Sequence, residues 1–411
     1  MHFTELALNK PILKSLYEKG YDTPTEVQEM TIPLVLAKKD VIASAQTGTG
    51  KTAAFALPIL QRLFHQQDAH KNNKKIRALV VSPTRELAVQ IEEEFKAFSK
   101  YTNLRSTVVF GGTSIEPQKD ILKKGVDILI ATPGRLLDLR KQEIVDLGNI
   151  EILVLDEADL MLDMGFIDDV LKIERLCPEE KQILLFSATM PAKVVQLAKT
   201  ILKDAERVEV TPSVSAATSV RQVLYYVPKH KKIELCLHLL RNTIKGNMLI
   251  FRRTKNGVDK LEQTLLKNNY KVASLHGDKA QSTRQVALNS FKNGEVNILI
   301  ATDVASRGID IDGLDAVINF DLPNIAETYV HRIGRTGRAG LEGMAYSFCS
   351  ADEKEYVKTI QKLIQGAIPV EEDHPYLLSP KAKAPVHKKK GSKHKKGRKS
   401  VASKKNKKRW Y

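Results

Sequence analysis

Two short runs in this chain carry side chains suited to moving a phosphoryl group. Ala45-Gln46-Thr47-Gly48-Thr49-Gly50-Lys51-Thr52 is glycine-rich, follows an apolar run, and opens a helical pattern. Glycines let backbone N–H groups turn inward on phosphate oxygens, and a helix N-terminus adds positive potential. Lys51 is then placed for the β- and γ-phosphates and the Thr52 hydroxyl for Mg²⁺. The generic pattern G-x-x-x-x-G-K-[ST] fails at its first position, where Ala45 stands, so a plain Gly-rich turn stays open on this run alone. Further on, Asp156-Glu157-Ala158-Asp159 ends the apolar run Ile152–Leu155. A carboxylate at a strand tip beside a phosphate loop suits Mg²⁺, and the adjacent Glu157 suits orienting and deprotonating water. The plainer alternative is an acidic helix start. A third run, His331 to Arg338, holds Arg335 and Arg338 three apart, hence on one helical face. Such arginines often are only solvated, but Gly334 and Gly337 beside them disfavour an ordinary exposed helix.

The elements that must position these runs alternate short apolar stretches with amphipathic ones, the pattern of a parallel α/β sheet. Strands are expected at Asp40–Ala45, Ala78–Ser82, Thr107–Phe110, Val126–Thr132, Ile152–Asp156 and Gln182–Ser187. The series restarts at Gln222–Val227, Met248–Phe251, Val272–Leu275, Val296–Thr302, Ala316–Asn319 and Met344–Cys349. Val126-Asp-Ile-Leu-Ile-Ala-Thr132 recurs as Val296-Asn-Ile-Leu-Ile-Ala-Thr302, six of seven residues identical. Either two buried strands drew the same residues or a domain is duplicated. In a duplicated pair Thr132 and Thr302 would each sit past a strand's carboxyl end, where open α/β sheets bind ligands.

With 411 residues, two domains and a remainder are expected. The expected boundaries are 1–209, a Ser/Thr/Ala/Pro linker at 210–220, 221–366, and a disordered tail at 367–411. Of the net charge of +17, fifteen Lys/Arg lie from His374 to Tyr411 with no acid among them, leaving the rest nearly neutral. A polycationic end points to a nucleic-acid or other polyanion partner. No run is apolar enough to span a membrane, and Met1–Lys10 has no signal-peptide core. Three scattered cysteines without C-x-x-C disfavour a disulfide framework and a zinc site, which suits a reducing cytosol.

Over roughly residues 3–365 the chain resembles the DEAD-box RNA helicases, and the short N-terminus with a basic tail looks most like the bacterial RhlE-like branch. Gly20-Tyr-Asp-Thr-Pro-Thr-Glu-Val-Gln28 resembles the family's adenine-reading motif. The resemblance gives Gln28 the adenine edge, Tyr21 a stacking surface, and Phe3 the place of the upstream aromatic. Ala45 in place of glycine is also what this family shows. Pro83-Thr84-Arg85-Glu86-Leu87, Gly111-Gly112 and Thr132-Pro133-Gly134-Arg135 resemble the first domain's RNA-backbone contacts, and Ser187-Ala188-Thr189 the element coupling hydrolysis to strand separation. In the second half, His276 through Gln281 and Arg284, Ala301-Thr302-Asp303 through Asp310, and Tyr329 through Arg338 match in order.

The resemblance implies a definite molecule: two tandem RecA-like parallel-sheet domains with a disordered basic C-terminal tail. It implies an ATP- and Mg²⁺-dependent RNA helicase with RNA-stimulated ATP hydrolysis, in which Arg335 and Arg338 are arginine fingers and the site is complete only when the domains close. Asp303 and Asp310 become nucleotide contacts of the closing domain, and His331 a link between γ-phosphate and RNA. Gln281, Arg284 and Thr302 join the RNA groove, read through backbone and 2′-OH groups with little sequence preference. Local separation of short duplexes, in ribosome assembly or RNA turnover, is the expected role, with ribosomal precursors or RNA-decay proteins as partners. An ATP-locked RNA clamp or assembly scaffold is the alternative, since it would use the same residues. A processive DNA helicase is disfavoured, as no accessory domain is visible. A nuclear home is conceivable from the Lys-rich tail; a bacterial cytoplasm is favoured because the chain starts directly at the adenine-reading region.

Overall fold

A computed structural model of the chain describes residues 1–45, 48–65, 75–210, 220–306, 311, 313–337 and 343–379. Of the expected site, Gln46, Thr47, Asp310 and Arg338 lie outside the described residues, as do the linker between its end residues and the tail from 380.

The first sheet has seven strands: β1 (Val41–Ser44), β2 (Ala78–Val81), β3 (Ser106–Val109), β4 (Ile128–Ala131), β5 (Ile152–Leu155), β6 (Gln182–Ser187) and β7 (Glu206–Glu209). Their order is β3-β4-β2-β5-β6-β1-β7. The second sheet has six: β8 (Val220–Tyr226), β9 (Met248–Phe251), β10 (Val272–Leu275), β11 (Ile298–Ala301), β12 (Ala316–Asn319) and β13 (Gly343–Cys349), in the order β10-β11-β9-β12-β13-β8. Every pairing is parallel. Counted from its own first strand, each sheet runs third, fourth, second, fifth, sixth, first. The two Ile-Leu-Ile-Ala strands, β4 and β11, are therefore both the fourth strand of the same topology. That equivalence supports duplication over chance.

Strands β2, β4, β5 and β6 are buried along their length, as are β9, β11 and β12. A parallel strand covered by helices on both faces must be apolar throughout, which is why these runs do not alternate. One apolar cluster, with Phe55, Phe95 and Phe186, fills one side of the first sheet; another, with Leu79, Leu129 and Leu153, fills the other. The second sheet is sandwiched in the same way.

Two elements escaped the sequence pattern. Strand β7 buries only Val208, and its charged neighbours blunt the sheet edge. The expectation that order stops at Gly366 does not hold for 367–379. Leu224 donates its N–H to Pro369 (2.8 Å) and accepts from Glu371 (2.9 Å), so this strap bridges onto edge strand β8. Ile368 is buried beneath it, and His374 packs edge-on to Tyr225, ring centroids 5.5 Å apart.

Candidate active site and nucleic-acid interface

The carboxyl ends of the first sheet hold the phosphate loop, with the helix Lys51–His65 starting from it. Gly48 and Gly50 have φ of +83° and +90°, which only glycine adopts without strain. At Gly50 a Cβ would also fall 2.3 Å from Gln28 Nε2 and displace that carboxamide. Gln28 itself is buried; its Oε1 accepts from Thr25 N (2.9 Å) and its Nε2 donates to the Gly50 carbonyl (3.0 Å). Thr25 Oγ1 donates to the Thr49 carbonyl (2.7 Å). The segment ending in Gln28 is thus tied directly to the glycine-rich loop. A cavity of about 590 Å³ is lined by Tyr21, Gln28, Gly48, Gly50, Lys51, Thr52, Asp156 and Glu157. Phe3 is not among its lining side chains: it is buried in the first domain's core beside Leu6 and Leu8.

Lys51 Nζ donates to Glu157 Oε1 at 2.6 Å, and both side chains are almost wholly buried. Burial disfavours the Lys51 charge, but Glu157 and Asp156 outweigh it and raise the ammonium's pKa. Glu157 sits in the left-handed region, φ 54° and ψ 54°. For a non-glycine residue this costs of order 1–3 kcal/mol, a strain found mostly at working sites. Asp156 ends strand β5, and burial followed by the Glu157 charge push its carboxyl up to about 7. Its Oδ1 is buried without a hydrogen-bond partner. An orphaned carboxylate oxygen sharing a cleft with the Thr52 hydroxyl fits a hard divalent cation such as Mg²⁺, which takes one or two protein oxygens and leaves the rest to water and phosphate. Among the described residues no group of three or more His, Cys, Asp or Glu forms a metal centre.

Asp159 links this cleft to its neighbours. Its Oδ2 accepts from Thr189 N (2.8 Å) and Thr189 Oγ1 (2.7 Å), and its N–H donates to Ser187 Oγ (3.1 Å). Burial works against its charge, yet the Thr189 bond, Lys51, His331 and Ser187 together hold the carboxyl below its ordinary range. Ala45 donates its N–H to the Ser187 carbonyl, closing a chain from phosphate loop to Ser187 and Thr189. A second cavity, about 470 Å³, lies between the domains; Glu157, Asp159 and Thr189 line one side, and Thr328, His331 and Arg335 the other.

The residues expected to meet RNA also cluster at carboxyl ends. Thr132 caps the helix Pro133–Lys141 after β4, and Thr302 follows β11. Gly134 is exposed, whereas Pro133 is buried. Thr84 caps the helix Arg85–Phe98, its Oγ1 accepting from Leu87 N, with Pro83 buried before it. Gly112 has φ +77°, and a Cβ there would meet the Arg85 guanidinium at 2.2 Å. Arg135 Nη2 donates to the Thr113 carbonyl (2.9 Å), holding the Gly111-Gly112 turn near Thr132. Gln281 and Arg284 are engaged across the domain junction: Glu86 accepts from Gln281 Nε2 (2.8 Å) and pairs with Arg284 (3.0 Å). Asp303 is held inside its own domain by a two-pronged pair with Arg332, 2.6 and 2.8 Å.

Comparison with known proteins follows the same division. Residues 25–198 match the family model described as DEAD/DEAH box helicase, and residues 231–340 the one described as Helicase conserved C-terminal domain. The chain is 45% identical over 366 residues to the DEAD-box ATP-dependent RNA helicase RhpA of Helicobacter pylori, covering 89% of this chain and 73% of that one. The chain belongs to the DEAD-box ATP-dependent RNA helicases. It is 41% identical over 360 residues to CshA of Bacillus subtilis, covering 88% and 72% of the two chains. Among solved structures, S. cerevisiae Dbp5 bound to RNA and ADP BeF3 matches at TM-score 0.79 and 34% identity, covering 90% and 94%. Mss116 bound to ssRNA and AMP-PNP matches at 0.81 and 31%, covering 91% and 79%.

The helicase is thus an ATPase whose two sheets are RecA-like. Four residues of its site carry no role in the sequence reading. Glu86 and Asp159 lie inside the quoted motifs, so only their partners were hidden. Arg332 adjoins His331 and pins Asp303. Lys292, from the second domain, lines the first domain's nucleotide cleft, and no sequence signal marks it.

Proposed function

We propose that the helicase hydrolyses ATP at the Lys51–Glu157 pair and uses domain closure on RNA to separate short duplexes. The observation that carries this reading is the position of Glu157. It is bonded to the phosphate-loop lysine on one side and, on the other, lines the interdomain cavity with His331 and Arg335. Lys51 exchanges Glu157 for the β- and γ-phosphates when nucleotide enters; removing a nucleotide would re-form the buried pair, which protects both charges from an unpaired burial costing several kcal/mol. Glu157, freed, orients the attacking water and takes its proton. Thr52 and Asp156 would hold Mg²⁺, which would supply positive charge against the negative charge gathering on the phosphate oxygens. Tyr21 and Gln28 take the adenine, Arg335 and Arg338 supply the missing cations from the second domain, and Asp303 and Asp310 complete the closing side.

Thr132 and Thr302, with Thr84, Arg85, Gly112, Arg135, Gln281 and Arg284, grip phosphates and 2′-OH groups without reading bases. A strand bent across two domains cannot stay in an A-form duplex, so binding itself separates the strands and phosphate loss permits release. The basic residues from 380 act as a tether for structured RNA, and the role assigned in this proposal is a cytoplasmic one in ribosome assembly or RNA turnover. No described helix is long and apolar enough to cross a membrane. The domain boundaries that suit this reading are 1–209 and 221–366, with the strap through 379 added to the second.

Glu157→Gln tests the proposal. It should keep ATP and RNA binding yet nearly abolish turnover, leaving a long-lived closed complex. Hydrolysis at the parental rate would show that another group is the base. A clamp role is distinguished by the parental chain: strong RNA-stimulated ATPase with no separation of a short RNA duplex would favour it.

A further inference from the structure

Among the described residues Glu157 is the one carboxylate that lines both cavities, the nucleotide cleft and the interdomain one. Hydrolysis joins the water oxygen to the γ-phosphorus and breaks the bond to the β–γ bridging oxygen, leaving ADP and inorganic phosphate. ADP then fills the cleft between the phosphate and the mouth lined by Tyr21 and Gln28. The phosphate cannot leave by the way ATP entered until ADP goes or the domains part. Its other side faces Glu157, and past Glu157 lies the second cavity.

We propose that inorganic phosphate leaves through this interdomain cavity, past Glu157, while ADP still occupies its cleft and the domains are still together. The proposal rests on Glu157 marking the γ-phosphate position. The cavity, about 470 Å³, holds a hydrated phosphate ion with room to spare. Its wall carries His331 and Arg335, which attract the anion, and Asp159, Asp163 and Glu327, which keep it from lodging. A path for an ion needs that balance: entry must be favourable and binding weak. Apolar side chains from both domains line the cavity, and they are taken as its rim. Ile325, half exposed, precedes the helix Ala326–Ile333, and Leu162 and Met190 line the first domain's side. A rim of movable side chains across a junction explains an order of events: phosphate departs first, its loss removes the charge that Arg335 faces, and the domains then part.

The test narrows the rim without touching the chemistry. Ile325→Trp and, from the opposite wall, Leu162→Trp are made in the full chain with saturating RNA and ATP. Cleavage is followed by acid quench and free phosphate by a fluorescent phosphate-binding sensor. Both variants should cleave at the parental rate while phosphate appears roughly fivefold or more slowly, so that a bound ADP–phosphate state accumulates. Ile325→Ala, which trims a half-exposed side chain and opens the rim, should release phosphate at least as fast as the parent. Phosphate appearing in step with cleavage in the tryptophan variants, or slowed in Ile325→Ala, overturns the proposal. So does slower cleavage without a lag, because the rim would then serve closure rather than exit. Failure of the underlying site reading looks different: Glu157→Gln would go on cleaving ATP.

Discussion

Asp156 offers a test of the cleft that needs no catalysis. Its carboxyl is pushed up to about 7, by burial first and then by Glu157, against the pull of Lys51. A hard cation binds the ionised oxygen, so a proton and Mg²⁺ compete for the same group. The apparent dissociation constant is then multiplied by one plus the ratio of proton concentration to acid constant. For a pKa near 7 that factor is about 1.1 at pH 8 and about 11 at pH 6, a roughly tenfold loss of affinity on acidification. The nucleotide's own phosphate titrates in the same range, so binding of a fluorescent ADP is measured with Mg²⁺ and again with EDTA, and only the difference is read. Asp156→Asn should lose that difference. The same shift sets a sign for stability. Between the ordinary 3.8 and about 7 the folded protein holds a proton that the unfolded chain has released. The stability from this group is therefore full below the ordinary value and falls as pH rises through about 7. Near pH 8 without metal, Asp156→Asn should melt higher than the parent. A magnesium-dependent affinity that is flat from pH 8 to 6, or an Asn variant with the parental pH slope, would refute the reasoning.

Three further outcomes are expected. Arg335→Ala and Arg338→Ala should each lower RNA-stimulated ATPase strongly, on the order of 10³-fold for a true arginine finger, while leaving the full chain's nucleotide affinity without RNA little changed; steady-state turnover and nucleotide titration check it. Glu86→Ala removes the acceptor shared by Gln281 and Arg284 and strands the Arg284 charge at the junction, so donor–acceptor dyes on the two domains should report a less closed ensemble at saturating ATP and RNA. Deleting 380–411 should weaken RNA binding and raise the RNA concentration needed for half-maximal ATPase, with little change in maximal rate. Each lost phosphate contact should also flatten the slope of log K against log salt by about 0.7 to 0.9; an unchanged slope would sink the tether.

Much of the fold and the single-domain part of the site was legible because each piece is local. A phosphate loop works through the geometry of one strand end and one helix start, so its residues must be contiguous, and Gly48, Gly50, Lys51 and Thr52 all lie where that logic puts them. Buried parallel strands must be apolar on both faces, so Ile128–Ala131 and Ile298–Ala301 stood out, and of the two readings left open, chance and duplication, the matching strand orders favour duplication. Strand β7 did not stand out, because an edge strand with one core-facing residue has no pattern to detect. The 367–379 strap was missed for a related reason. It pairs through two backbone bonds to Leu224 and buries only Ile368 and His374 outright, six residues apart, too sparse a pattern for apolar periodicity to reveal.

What could not be read is which side chains pair directly across the junction. Glu86 sits in a motif recognised at once, yet its partners, Gln281 and Arg284, are almost two hundred residues away and are chosen by how two rigid bodies meet. Lys292 reaches the first domain's cleft by the same accident of orientation, and the cavity that Glu157 shares with His331 and Arg335 exists only between the domains. Local chemistry is written in runs of residues because backbone geometry transmits it over a few positions. Coupling has to be written in pairs, because hydrolysis that depends on closure must place half of each interaction on the other domain. Asp159 marks where the two meet: its hydrogen bonds to Thr189 are local, its attraction to His331 crosses the junction, and a change at either end is felt by the same carboxylate.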